Sequence, residues 1–262
     1  MSNLAQQVAI ISGGLGDIGR AVALELARRG ADVAVGDIHE CALAAELLGK
    51  LRSFGRQARY DRVDVADSSA VKAWVLAVEK DFGLPSLIIP CAAIVTVANS
   101  QKVTPAEWRH ELSINLDGVF YLAQTGALRL LSAGKPGRIV FIGSWAGRAP
   151  HPEIITYCVS KAGIRIMCKC MALEYARFGI LVNEVDPGYV DGGLARHWYE
   201  QDPTAREKDA RLVPIGKLIE PEEVALQVAH LCAPENRHMT GSVLCMDGGL
   251  SLVSTAYTSE VS

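Results

Sequence analysis

Val8-Ala9-Ile10-Ile11-Ser12-Gly13-Gly14-Leu15-Gly16-Asp17-Ile18-Gly19-Arg20 decides how the chain is read. A short apolar run over 7–12 predicts a buried strand, and it leads directly into a glycine turn over 13–19. A helix over 20–29 follows at once, with Ala21, Leu24, Leu26 and Ala27 facing inward and Gly30 ending it. Glycines let a backbone approach a pyrophosphate, and a helix start offers unpaired N–H groups and the positive end of a dipole. Strand, turn and helix in this order make a phosphate cradle, whose candidate contacts are Ser12, Gly13, Leu15, Asp17, Ile18 and Gly19.

The next predicted strand, 32–36, ends at Asp37. A carboxylate there hydrogen-bonds an adenosine ribose diol and repels a 2'-phosphate. Ile38 follows where a phosphorylated cofactor would want a basic residue, so the expected cofactor is NAD, favoured over NADP. The alternation continues with a helix over 41–54, a strand over 57–63, a helix over 68–82 capped by Ser68 or Ser69, and a strand over 86–89. Between these lies Asp64-Val65, and Asp64 reads equally as an acceptor for the adenine amino group or as a turn residue.

A long helix is predicted over 105–131, a strand over 137–143, a helix over 156–178 and a strand over 181–185. After Asp186-Pro187-Gly188 comes an irregular stretch to 214, then a helix over 221–232 and a strand over 242–246. The count is seven strands alternating with helices, with no linker and no internal repeat. The expected fold is α/β, one doubly wound, Rossmann-like domain over 1–262 whose parallel sheet carries helices on both faces. The 189–214 stretch, with Tyr189, Asp191, Gly192-Gly193, His197, Trp198 and Tyr199, reads as a lid over a pocket or as a surface loop with a short exposed helix. Residues 251–262 read as a tail.

Ligands of such sheets bind at the carboxyl ends of the strands, where 13–19, Asp37, Ser144 and Pro187-Gly188 all fall. Ser144 closes a β-branched strand, and Tyr157 and Lys161 stand four apart on the following helix, one turn from each other on one face. An ammonium beside a phenol favours the phenolate, which makes a tyrosine usable as a general acid or base. A serine hydroxyl both donates and accepts, which suits an oxygen passing between alcohol and carbonyl. Tyr-x-x-x-Lys by itself recurs on helices by accident; Ser144 and the cradle give it weight here. Asn115 and Gly118 interrupt an apolar helix, where Gly costs roughly 1 kcal/mol against Ala, and such a local conflict often marks a site.

Composition narrows the class. The 262 residues carry a net charge of -3 and no run of five basic residues, which argues against a nucleic-acid partner. The longest apolar stretch, 87–98, is too short for a bilayer and contains Pro90, so no membrane role is expected. The N-terminus lacks a basic region before an apolar one, and the expected location is cytoplasmic. Seven scattered cysteines form no Cys-x-x-Cys pair and read as reduced, mostly buried thiols, with neither a disulfide framework nor a metal site.

Taken together, Ser12-Gly13 to Gly19, Asp64, Asn115, Ser144, Tyr157-x-x-x-Lys161, Asn183 with Pro187-Gly188, Pro221-Glu222-Glu223-Val224-Ala225 and Thr240-Gly241 with Asp247-Gly248-Gly249 resemble the short-chain dehydrogenase/reductase family, over nearly the whole chain. The resemblance implies that Tyr157 is the proton donor or acceptor, that Lys161 lowers its pKa and holds the nicotinamide ribose, that Ser144 orients the substrate oxygen and that Asn115 supports a water relay. It further implies cofactor contacts at Ile38, Val65, Cys91, Ala92, Ala93, Pro187, Gly188 and Val190. Three departures stand out. Asp17 occupies the middle glycine position of Thr-Gly-x-x-x-Gly-x-Gly, Pro90-Cys91-Ala92-Ala93 replaces Asn-Asn-Ala-Gly, and the usual Thr after Pro-Gly is missing, with Gly192 nearest its place.

The expected activity is hydride transfer between NAD and a secondary alcohol or ketone, namely a polyol, a sugar or a small cyclic alcohol. Ile94, Val95, Ser144, Trp145, His151, Tyr189, His197 and Trp198 would form the substrate wall. An NAD-binding sensor or structural protein with little catalysis is the alternative of another class, and a 3-oxoacyl thioester reductase is the alternative enzyme. The 156–178 helix is apolar on more than one face, and the family's tetramers use it with the Asn115 helix, so a homotetramer is expected.

Overall fold

The structure, a computed structural model, describes residues 3–253. In chain order its main elements are β1 (Val8–Ser12), α1 (Asp17–Arg28), β2 (Asp32–Asp37), α2 (Ala45–Ser53), β3 (Ala58–Arg62), α3 (Ser68–Phe82), β4 (Leu87–Pro90), α4 (Pro105–Leu112) and α5 (Val119–Ala133). There follow β5 (Gly137–Ile142), α6 (Ile155–Tyr175), β6 (Ile180–Pro187), α7 (Arg196–Gln201), α8 (Pro203–Leu212), α9 (Pro221–Cys232) and β7 (Val243–Met246). The seven strands form one sheet in the order β3-β2-β1-β4-β5-β6-β7, with every pairing parallel. The order reverses between β1 and β4, which opens a crevice at the carboxyl ends of those strands.

β1 illustrates why both faces must be covered. Ala9 and Ile11 pack into the core beneath α1, α2 and α9, where Leu26, Leu47 and Val228 lie. Ile10 points the other way, toward α3, α5 and α6, with Trp74, Leu122 and Ile164. A strand alternates its side chains between faces, so an unbroken apolar run is what a sheet buried on both sides requires.

Local differences from the sequence reading have identifiable causes. α3 is capped neither by Ser68 nor by Ser69 but by Asp67, whose carboxylate accepts from the backbone N–H groups of Ser69 and Ala70; Asp caps as well as Ser and stands one place earlier. The single helix predicted over 105–131 is interrupted by a π-helical segment, Ser113–Gly118. Gly118 lies so close to Val65 that an added Cβ would stand 2.7 Å from its side chain. α6 ends at Tyr175, and a single 3-10 turn carries the chain to Phe178. Most of the stretch over 189–214 is not irregular, since α7 and α8 occupy it, the latter started by the Asp202 cap and Pro203. α8 is mostly polar, so it carries little apolar periodicity to read. Of the tail expected over 251–262, Ser251 and Leu252 belong to one 3-10 turn, Leu250–Leu252, and residues beyond 253 lie outside the described ones. No described helix is long and apolar enough to cross a membrane.

Candidate active site

A cavity of about 730 Å³ opens at the carboxyl ends of β1, β2, β4, β5 and β6, with α7 and α8 contributing to its outer wall. It runs from the glycine turn and Asp37 at one end to Ser144, Tyr157 and the aromatic rings at the other.

At the first end the glycines are required by contact. Gly13 has φ 65 and presses on the chain after β4, where a Cβ would stand 2.6 Å from the Ala92 Cα. At Gly19 a Cβ would stand 2.3 Å from the Gly13 carbonyl oxygen. Gly16 precedes α1 and offers no side-chain cap, which leaves the N–H groups of the first turn without a side-chain partner. The Asp37 carboxylate accepts from the Leu15 N–H at 3.0 Å and from the Ile38 N–H at 2.8 Å, and so joins the end of β2 to the turn. An uncapped helix start, a carboxylate at the end of β2 and an open cavity between them fit a dinucleotide. Ile38, Asp64 and Val65 line the same end; Asp64 Oδ1 also accepts from the Ala66 N–H at 2.9 Å, so it serves the turn while facing the cavity.

Ser12 does not line the cavity. Its hydroxyl accepts from the N–H groups of Cys91 and Ala92 at 3.1 and 3.3 Å, tying the end of β1 to the segment Cys91-Ala92-Ala93, which does line it. That bond steadies the centre of the sheet where this chain has no asparagine pair. Burial pushes the Cys91 thiol up to about 12, so it is held neutral. Only Cys168 and Cys232 of the seven cysteines are buried; Cys41, Cys170 and Cys245 are exposed, contrary to the expectation that most would be buried.

At the other end Ser144 leaves β5, and its hydroxyl accepts from the Ala146 N–H at 3.1 Å. Tyr157 and Lys161 come from the start of α6 and face the same cavity as Ser144. Lys161 is buried; its Nζ donates to the Ile142 carbonyl at 2.8 Å and lies 5.3 Å from the centre of the Tyr157 ring. Burial pushes the Tyr157 hydroxyl up to about 12, against the lowering influence of the nearby Ser144 hydroxyl, and brings Lys161 down to about 8. The sequence reading has the ammonium drawing the tyrosine down. In the structure desolvation outweighs it, because both charged forms are removed from water and Lys161 spends its hydrogen bond on a carbonyl.

Asn115 is also off the cavity wall. Its side chain accepts from the Ile94 N–H at 2.9 Å, donates to the Ile94 carbonyl at 2.8 Å and reaches Glu111 and Ser160 at 3.4 Å. The π-helical segment thus carries an amide that fixes Ile94, itself a wall residue. Pro187, the last residue of β6, and Gly188 and Val190 after it line the cavity. Of the residues expected to form a substrate wall, Ile94, Val95, Ser144, Trp145, His151, Tyr189 and Trp198 line the cavity. Trp145 meets His151 edge-on at 4.5 Å and Tyr189 at 5.4 Å between ring centres. The His151 ring nitrogen Nδ1 bonds the Ala149 carbonyl at 2.8 Å. The side chain of His197 falls outside the described residues.

Several groups escaped the sequence reading. Asp209 lines the cavity and accepts from the Tyr199 hydroxyl at 2.9 Å. Arg196 lines the cavity beside the glycine turn, where it pairs with Asp17. Glu184 is fully buried on β6, where it and Asp186 press so closely on Gly143 that a Cβ there would stand 2.1 Å from an oxygen of each. Arg165 pairs with Asp186, while neither oxygen of Glu184 has a hydrogen-bond partner among the described residues. Burial brings Glu184 up to about 7. Two acids inside the otherwise apolar strand 181–185 and its continuation were the available signal, a local conflict of the kind that attends sites.

Comparison with known proteins agrees with this geometry. Residues 14–251 match the family model described as enoyl-(acyl carrier protein) reductase. The chain is 35% identical to a cis-4-hydroxycyclohexanecarboxylate dehydrogenase of Sinomonas cyclohexanicum, over 95% of this chain and 98% of that protein. It is 35% identical to a cyclohexanol dehydrogenase of Acinetobacter sp. strain SE19, over 99% and 98%. Among solved structures, a short-chain type dehydrogenase/reductase from Mycobacterium marinum superposes with a TM-score of 0.88 at 29% identity, covering 95% of this chain and 96% of that one.

Proposed function

The chain belongs to the short-chain dehydrogenase/reductase family of oxidoreductases, and from that premise we propose that it interconverts a small cyclic secondary alcohol and its ketone with NAD. The observation that carries the proposal is one cavity with Ser144, Tyr157 and Lys161 at one end and Asp37 beside an uncapped helix start at the other. The nicotinamide, when bound, takes or gives the hydride. Ser144 and Tyr157 grip the substrate oxygen from two sides, and Tyr157 gives or takes its proton. A phenol held neutral by burial is a ready donor to a ketone. In the alcohol-to-ketone direction, which an NAD enzyme favours, the Lys161 ammonium must stay charged to support the phenolate. Asn115 supports that end through Ile94 and Ser160, in line with a place beside a proton relay.

For NAD speaks Asp37, whose carboxylate faces the cavity beside Ile38 with no cation of the glycine turn to receive a 2'-phosphate. For a cyclic alcohol over a polyol speak the apolar and aromatic wall and the activities of the two cyclohexane-ring relatives. The test is reduction of NAD and NADP across cyclic alcohols, polyols, hydroxysteroids and hydroxyacyl thioesters, with Tyr157→Phe as control. NAD reduction by cyclic alcohols that vanishes in the variant is the expected result; dinucleotide binding without turnover on any class would favour a sensor instead.

The active form we infer is a cytoplasmic homotetramer. Leu173 and Ile166 on α6 are 84% and 60% exposed and Leu128 on α5 is 53% exposed, apolar surface that a partner would cover. All seven cysteines are free, which suits a reducing compartment. Light scattering that found only monomer would overturn the assembly.

A further inference from the structure

Two of the three departures in sequence meet in space. Asp17 stands at the first position of α1, and its carboxylate is gripped by the far segment: Arg196 donates through Nε at 2.8 Å and through a terminal nitrogen at 2.7 Å, and the Gly193 N–H donates at 2.6 Å. Gly192 passes so close, with φ 147, that an added Cβ would stand 3.0 Å from the same carboxylate. Asp17 and Arg196 both line the cavity beside Gly13, Gly16, Ile18 and Gly19.

A carboxylate at this place is a problem for a dinucleotide. The start of α1 draws the cofactor's diphosphate, and an uncompensated Asp17 would repel it. Arg196 removes that repulsion. A guanidinium has five N–H donors in a planar fork, and Asp17 takes two of them in a side-on grip, which leaves three for other oxygens. The other strong cation on the cavity wall, Lys161, is at the catalytic end and bonded to Ile142. Arg20, from the next turn of α1, is engaged with the Leu15 carbonyl and is not part of the wall.

We propose that Arg196 is the cation for the diphosphate of the cofactor and that Asp17 is its positioning residue. The pair does two jobs with one contact: it fastens the segment after Gly192-Gly193 over the glycine turn, and it presents the remaining guanidinium donors to the phosphates. The hold on this segment and the contact to the diphosphate therefore share one residue. The inference rests on the dinucleotide reading above and concerns binding alone, so it is tested without turnover.

The experiment is titration of the full-length chain with NADH by fluorescence and with ADP and adenosine by calorimetry. It compares wild type, Arg196→Ala, Asp17→Gly and the double variant. Arg196→Ala should weaken NADH and ADP about tenfold or more, since it removes the donors to the phosphates and also leaves Asp17 facing them unpaired. Adenosine, which has no phosphate, should bind as before, and this also certifies that the variant is folded. In the Asp17→Gly background the same Arg196→Ala change should still cost about two- to threefold, because the guanidinium keeps its charge but is no longer held toward the phosphates; no loss at all there would mean that Arg196 only neutralises Asp17 and would overturn the assignment. Unchanged NADH affinity in Arg196→Ala, an equal loss for adenosine, or the full loss repeated in the Asp17→Gly background would each overturn the assignment. Wild type that bound no dinucleotide at all would overturn the cofactor reading itself.

Discussion

The Lys161 ammonium donates to the carbonyl of Ile142, 2.8 Å away, and stands 5.3 Å from the centre of the Tyr157 ring, so its influence on the phenol is through space and not through a shared hydrogen bond. Ile142 is the last residue of β5, and Ser144 follows two residues later. The strand end therefore positions both the lysine and the serine, with α6 supplying the tyrosine between them. A group acting through space can be separated from one acting by contact.

Tyr157→Phe removes the proton-transfer group and keeps the ring over which Lys161 lies. Turnover should fall by about 10² to 10⁴, while the Kd for NADH from fluorescence titration stays within about twofold of wild type. Substantial remaining turnover would sink the role of Tyr157.

Asp37→Ala removes the carboxylate that faces the cavity and receives the Leu15 N–H. The ratio of kcat/KM for NAD over NADP should drop by about tenfold or more, mostly through a gain with NADP as the repulsion of its 2'-phosphate is lost. A ratio that did not move would take cofactor choice away from Asp37.

Gly19→Ala places a methyl group 2.3 Å from the Gly13 carbonyl oxygen, a backbone atom with little room to give. The cradle must shift, and NADH affinity should fall by about a hundredfold or more, given the strain and the displaced N–H groups together. Retained affinity in equilibrium titration would show that the turn is not the phosphate site.

Glu184 gives a prediction about pH. Its carboxyl is raised to about 7 in the folded chain, against about 4.3 when unfolded, so between these values the folded state holds the extra proton. Stability from this group is therefore greatest below the unfolded value and falls as pH rises toward 7. Glu184→Gln removes the ionisation and sets an amide beside Asp186 Oδ1, which has no hydrogen-bond partner among the described residues. Urea midpoints should show the variant stabler by roughly 1 to 3 kcal/mol at pH 8 and nearly unchanged at pH 4.5. Equal effects at both pH values would mean that Glu184 does not titrate in this way.

Much of this molecule was legible one segment at a time. The apolar runs of β1, β2, β4 and β5 and the amphipathic pattern of α9 are properties of neighbouring residues, and so are the glycine turn and the four-residue spacing of Tyr157 and Lys161. Their order fixed a doubly wound sheet, and the rule for such sheets named the crevice. The cap of α3 and the helices over 196–212 were misread because several polar residues there satisfy the same local rule equally well.

What no local pattern contains is the partner of a polar group. Asp17 reads as a departure from a glycine pattern until folding brings Arg196 onto it, and Asn115 reads as a helix defect until it is seen holding Ile94. Burial is decided the same way: the charges on Tyr157, Lys161 and Glu184 are disfavoured because distant segments close over them, and two segments adjacent in sequence cannot achieve that. The sequence by itself determined the order of strands and helices and the residue types offered to the cavity, since these follow from short-range periodicity and residue type. Only the tertiary structure decided which charges are paired, which are stripped of water and which side chains reach the cavity, because those depend on contacts between residues far apart in the chain.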